Sequence, residues 1–102
     1  MFIVCVTSCP AGIAHTFMAA ESLRKAALAK GIELKVETQG ATGRDNEITP
    51  EDCERADAAI IAADVSISGA ERFADVPTLE CSVSEAIKKG PKLLAEVVEA
   101  VR

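Results

Sequence analysis

Cys9 and His15 are where this 102-residue chain concentrates its chemistry. His15 is the single histidine, and Cys9 opens the run Cys9-Pro10-Ala11-Gly12-Ile13-Ala14-His15-Thr16. A free thiol, with a pKa of about 8.5, is mostly protonated at neutral pH, but unpaired amide groups at a helix N-terminus favour the thiolate. The same amides and the helix dipole would hold the oxygens of a phosphoryl group. Gly12 lets backbone approach closely, and Pro10 limits the freedom of the loop. In this reading Cys9 is the nucleophile and carries a phosphoryl group in transit. His15 hydrogen-bonds the thiolate or the phosphate, and Pro10, Ala11, Gly12, Ile13, Ala14 and Thr16 form the phosphate loop.

Such a loop needs a strand before it and a helix after it. Phe2 to Val6 is an apolar, branched run, as a fully buried strand requires. From about Ala14 to Lys30 the apolar residues Phe17, Ala20, Leu23 and Ala27 recur at three- and four-residue steps, predicting a helix that Gly31 ends. Ile32 to Thr38 alternates, with Ile32, Leu34 and Val36 on one side and Glu33, Lys35 and Glu37 on the other. That alternation predicts an edge strand with one wet face. Strand, helix, strand is a right-handed crossover that makes the strands parallel.

Gln39 to Glu47 reads as a loop, Thr49-Pro50-Glu51-Asp52 as a capped helix start, and Ala58 to Ala62 as a third buried strand. Asp64 to Gly69 is a second loop, followed by one helical turn at Ala70 to Phe73 and a fourth strand at Pro77 to Cys81. Ser82 with Glu85 makes a capping box for a last helix, interrupted at Gly90-Pro91. The expected fold is α/β: a four-stranded, parallel, doubly wound sheet with helices on both faces, and the cysteine loop after the first strand. The loops carrying Gln39, Gly40 and Asp64 leave the sheet at the same end as Cys9, where open sheets bind ligands, so these residues are candidates for the rim of the site or for partner contact.

The composition narrows the function. One domain spanning 1–102 fits the length. A net charge of −5 offers no basic stripe for nucleic acid. The cysteines Cys5, Cys9, Cys53 and Cys81 have no zinc-finger spacing, and with one histidine no metal site is expected. No cofactor is expected either. No apolar run approaches the ~20 residues of a membrane span, and the N-terminus lacks the basic region of a signal peptide, so cytosolic residence is expected.

The spacing also bears on the reaction. Low-molecular-weight tyrosine phosphatases place a cysteine, five residues, an arginine, then serine or threonine. Here His15 and Thr16 stand in the last two places. Loss of the arginine favours a carrier that keeps its phosphoryl group, and leaves a low-molecular-weight cysteine phosphatase or an arsenate-reductase-like enzyme as the alternative.

Several separated motifs together resemble the fructose-type enzyme IIB of the bacterial phosphoenolpyruvate-dependent sugar phosphotransferase system (PTS). They are Cys9 to Thr16, Met18-Ala19-Ala20-Glu21, Val36-Glu37-Thr38-Gln39-Gly40 with Gly43, Asn46 and Thr49, Ala62-Ala63-Asp64, and Glu71-Arg72-Phe73. The likeness runs from about residue 2 to 89. Ala11 departs from it, since family members often carry threonine or serine there. The resemblance implies a phosphotransferase subunit in which Cys9 takes phosphate from a phosphohistidine of enzyme IIA and passes it to a sugar held by membrane enzyme IIC. Enzyme I and HPr stand upstream. It also implies a cytoplasmic location, peripheral to the inner membrane through IIC.

Overall fold

A computed structural model describes residues 1–8, 13–40 and 43–101. The order of elements is β1 (Phe2–Ser8), α1 (Ile13–Lys30), β2 (Glu33–Gly40), β3 (Gly43–Asp45), α2 (Pro50–Arg55), β4 (Ala58–Ala63), a 3-10 turn (Ala70–Phe73), β5 (Thr78–Cys81) and α3 (Val83–Ala100). One sheet runs β3-β2-β1-β4-β5. β2, β1, β4 and β5 are mutually parallel, and β3 is antiparallel to β2.

The expected α/β class and parallel core are present, but the sheet has five strands, not four. The Gln39 to Glu47 stretch is not wholly a loop: β2 continues to Gly40, and the chain returns as β3 through Thr38↔Asp45, Gln39↔Arg44 and Gly40↔Gly43. Gly and Asn in this stretch signalled a turn, and three residues are too few for a period-two pattern to show. At its C-terminal end β2 is therefore an interior strand, not an edge.

Each face of the sheet closes separately. α1 and α3 cover Ile3, Cys5, Val36, Ala58, Ile60 and Ala62, with Leu23, Ala26, Val83, Leu93, Leu94 and Val97 between helices and sheet. β1 buries all seven of its residues, as expected of a strand covered on both faces. α1 ends in a Schellman cap: the Ile32 amide donates to the Ala27 carbonyl at 2.9 Å and Gly31, at φ 68°, donates to Leu28. One prediction about α1 fails: Phe17 is 49% exposed, and Thr16 and Ala19 take the inward positions with Ala20, Leu23, Ala26 and Ala27. The stripe is rotated by a residue at its N-terminal end, because small side chains fit the helix closely to β1.

The opposite face carries Phe2, Val4, Val6 and Ala59 beneath Ile48, Phe73, Cys53 and Ile67. Its cover is short: six-residue α2 and the 3-10 turn. α2 begins as the sequence implies, with Thr49 and Asp52 in a reciprocal capping box and Pro50 in the first turn. α3 has the matching box at Ser82 and Glu85, and its interruption is a kink at Lys89 (φ −126°, ψ 27°) before Gly90-Pro91.

Candidate functional site

β1 lies between β2 and β4, so the chain order reverses beside it. That is the switch point outside whose strand ends an open α/β sheet binds ligands. Ser8, the last residue of β1, pairs with Gln39 on one side and Ala63 on the other. The Asp64 amide donates to the Ser8 carbonyl at 3.1 Å. Three strand ends and the N-terminus of α1 thus meet where Cys9 follows Ser8 in the sequence. Cys9, Pro10, Ala11 and Gly12 lie outside the described residues.

The remaining candidates fall into distinct environments. Ile13 and Ala14 open α1. His15 is exposed and Thr16 is buried, with the Thr16 carbonyl accepting from the Thr7 hydroxyl at 3.5 Å. Asp64 accepts from the Val83 amide at 3.1 Å, at the first residue of α3, so its carboxylate serves a helix N-terminus. Gly40, the last residue of β2, is exposed, whereas Gln39 is buried. Among the described residues, no group of three His, Cys, Asp or Glu side chains comes together to hold a metal ion.

The sequence did not reveal a polar network at this end of the sheet. Glu37, assigned to the wet face of β2, is fully buried. Arg72 makes a forked contact with it, Nη1 to Oε1 at 2.7 Å and Nη2 to Oε2 at 3.0 Å. The Ile48 amide (2.8 Å) and Gln39 Nε2 (2.7 Å) also donate to the carboxylate. Burial alone would raise the Glu37 pKa, but the hydrogen bonds from Arg72, Gln39 and Ile48 outweigh it and hold the carboxyl below its ordinary range. Arg72 further donates to the carbonyls of Gly69, Ile48 and Ser68. Gly69 sits at φ 76°, and a Cβ there would come within 2.7 Å of Arg72 Nε. Glu37 and Arg72 are 35 residues apart, and no local pattern pairs them.

The cysteines among the described residues are Cys5, Cys53 and Cys81. Burial raises the pKa of Cys5 well above the ordinary thiol range, and raises that of Cys53 too. Burial, with the nearby carboxylates of Glu85 and Asp64, pushes Cys81 up to about 11. Each is a poor thiolate near neutral pH.

Comparison with known proteins agrees with this architecture. The family model for "PTS system, Lactose/Cellobiose specific IIB subunit" matches residues 4–96. "PTS system fructose-like EIIB component 2" of Escherichia coli K12 is 46% identical over 95 residues, 93% of this chain and 90% of that protein. "PTS system 2-O-alpha-mannosyl-D-glycerate-specific EIIABC component" of the same organism is 45% identical over 98% of this chain, which matches only 15% of that longer protein. A crystal structure described as a predicted fructose-specific IIB from Escherichia coli superposes with a TM-score of 0.92 at 37% identity, covering 98% of this chain and 88% of that one. These relatives favour the carrier over the cysteine-phosphatase alternative. A parallel sheet with its switch point at β1, and relatives alike over almost the whole length, place the chain in the PTS IIB family, whose members are the phosphotransferase components of sugar uptake.

Proposed function

We propose that residues 1–102 form one fructose-type IIB domain in which Cys9 is the phosphocysteine carrier. The Cys9 thiolate attacks the phosphorus of a phosphohistidine on enzyme IIA, so that an S–P bond forms as the N–P bond breaks and the imidazole nitrogen keeps the electron pair. The phosphoryl group then passes to a hydroxyl of a sugar held by membrane enzyme IIC. The S–P bond breaks, an O–P bond forms, and the sugar hydroxyl releases its proton. The observation carrying this reading is the junction of Ser8, Gln39, Ala63 and the start of α1 at the switch point, in a chain of this family. Phosphoryl transfer asks mainly for such positioning and for charge stabilisation, not for further covalent chemistry. His15, exposed in the first turn of α1, is assigned to hydrogen-bond the thiolate or the bound phosphate, and Pro10 to Ala14 with Thr16 to surround it.

Enzyme I and HPr supply the phosphoryl group upstream. Among the described residues no helix is long and apolar enough to cross a membrane, which suits a domain that meets IIC from the cytoplasmic side. Relatives are named for fructose-like sugars and for 2-O-alpha-mannosyl-D-glycerate, and the family model for lactose and cellobiose. A fructose-type sugar is favoured by the EIIB relatives.

The test is intact-mass spectrometry after incubation with phosphoenolpyruvate, enzyme I, HPr and a matching IIA. Wild-type protein should gain one phosphoryl group and Cys9→Ala none. An unlabelled wild type beside a labelled IIA overturns the reading. Steady phosphate release from an aryl phosphate, lost in Cys9→Ala, would establish a phosphatase instead.

A further inference from the structure

Ser68 belongs to the segment that leaves β4, yet it hydrogen-bonds the side chain of Gln39 on β2. Its amide donates to Gln39 Oε1 at 3.0 Å, and its carbonyl accepts from Gln39 Nε2 at 2.9 Å. β1 lies between β4 and β2, so residues 64–68 cross the C-terminal end of β1. Side chains alternate along β2, and Val36 packs under α1 and α3, so Glu37 and Gln39 face the other side, with Val4 and Val6. The crossing segment is thus a strap over the face of the sheet opposite α1.

Both ends of the strap are fixed. Asp64 ties its start to the Ser8 carbonyl and to the Val83 amide. At its far end Arg72 grips the buried Glu37 carboxylate and the carbonyls of Ser68, Gly69 and Ile48 together. Arg72 also stacks over the Phe73 ring, 5.0 Å from its centroid. A charge placed in the interior destabilises unless fully partnered, and a short loop over a sheet end has no need of one for its own sake. What the pair does supply is a defined height and position for the strap directly beside Ser8.

We infer that Glu37 and Arg72, with Gln39, are positioning residues for the transfer at Cys9: they hold the 64–72 strap as a rigid wall beside the end of β1, facing α1 across it. This rests on the phosphocysteine reading above. Neither residue touches the phosphoryl group; they act through the placement of Ser68 and its neighbours. A wall of fixed position matters because small displacements of a reacting centre cost much rate.

The experiment uses the full chain with Arg72→Met, Arg72→Lys and Gln39→Ala, each kept well below its melting temperature. Two quantities are read. One is the rate of transfer from phosphorylated IIA, followed against IIA concentration. The other is the pH dependence of Cys9 alkylation by iodoacetamide. Arg72→Met should lower the saturating rate roughly ten- to a hundredfold while the half-saturating IIA concentration stays within about twofold. It should also alter the alkylation profile of Cys9, and Arg72→Lys should recover part of both effects. Gln39→Ala, which spares the ion pair and removes the two Gln39 contacts to Ser68 while the Arg72 contact to its carbonyl remains, should show the same pattern more weakly, and carries the test if Arg72→Met does not fold. Folded variants with wild-type saturating rates and wild-type Cys9 alkylation would reduce the strap to a structural feature and overturn the inference. If wild-type protein takes no phosphoryl group from labelled IIA, the carrier reading fails by itself, and the alkylation profiles then decide on the strap alone.

Discussion

Over one face of the sheet lie two 18-residue helices, α1 and α3, whose contacts with β1, β2 and β4 are almost wholly aliphatic. Over the other lie one six-residue helix, a single 3-10 turn and a strap held by a buried ion pair. The first face is closed by shape: alanines at Ala19, Ala20, Ala26 and Ala27 bring α1 close to the strands, and Leu23 and Leu94 fill what remains. The second is closed by partners for polar groups. Apolar packing tolerates exchange among side chains of similar volume, whereas a buried charge tolerates little once its partner is removed. The rigid but replaceable face carries α1, the helix that comes after Cys9 in the sequence. The face with demanding chemistry carries the strap at the same end of the sheet.

The largest effect should come from splitting the ion pair. Glu37→Leu alone leaves the Arg72 guanidinium without its carboxylate, and Arg72→Met alone strands Glu37. Each should cost about 3–5 kcal/mol in urea unfolding. The double variant Glu37→Leu/Arg72→Met should be markedly more stable than either single one, because an apolar pair in place of an ion pair is often close to neutral. Additive losses in the double-mutant cycle would show that the two faces do not differ in the way described.

A smaller effect should come from the packed face, at the contact of α1 with α3. A Cβ on Gly90 would lie 2.4 Å from Ser22 Oγ, which donates to the Ile87 carbonyl at 3.2 Å. Gly90 also precedes Pro91, where a Cβ meets the proline ring. Gly90→Ala should cost about 1–3 kcal/mol. Ser22→Ala in the same chain should restore part of that loss, since the next contacts, at 3.4 Å, are ordinary ones. An unchanged melting temperature for Gly90→Ala would mean that this face is looser than its shape implies.

The two faces also differ in how far the sequence discloses them. β1, α1, β4 and both capping boxes follow from local rules: branched apolar runs, helical spacing, and Thr49 or Ser82 three residues before an acid. That the segments carrying Gln39 and Asp64 leave the sheet at the same end as β1 follows too, because crossover connections make these strands parallel. Glu37 was assigned to water because it alternates with Val36, and alternation cannot distinguish solvent from a distant guanidinium. Three-residue β3 is too brief for any period, and only its pairing with β2 through Thr38↔Asp45, Gln39↔Arg44 and Gly40↔Gly43 reveals it. The 64–72 strap is legible only once the strand order is known, since its meaning lies in crossing β1. Phe17 shows the opposite error, an aromatic at core spacing that the close packing of Thr16 and Ala19 turns outward.

The smallest effect tests the margin of the polar face, at α2. Asp52 Oδ2 accepts from Lys35 Nζ at 2.6 Å and from the Thr49 amide at 3.0 Å. The Lys35 contact, then the Thr49 amide, lowers the Asp52 pKa from 3.8 to about 2. A carboxyl depressed in the folded state adds stability above its unfolded pKa and loses it as pH falls through the folded value. That contribution is therefore complete above about pH 4–5 and disappears towards pH 2. Both side chains remain partly exposed, so the pair and the cap together should contribute only about 1 kcal/mol. Asp52→Asn should lower stability by that amount at pH 7, and the gap to wild type should close between about pH 4 and pH 2. Glu37 titrates in the same direction as acid is added, but it is present in both proteins and cancels in the difference. A gap that persists at pH 2 would assign the loss to Asn in the capping position and not to the Lys35 contact, leaving the buried pair as the electrostatic anchor of this face.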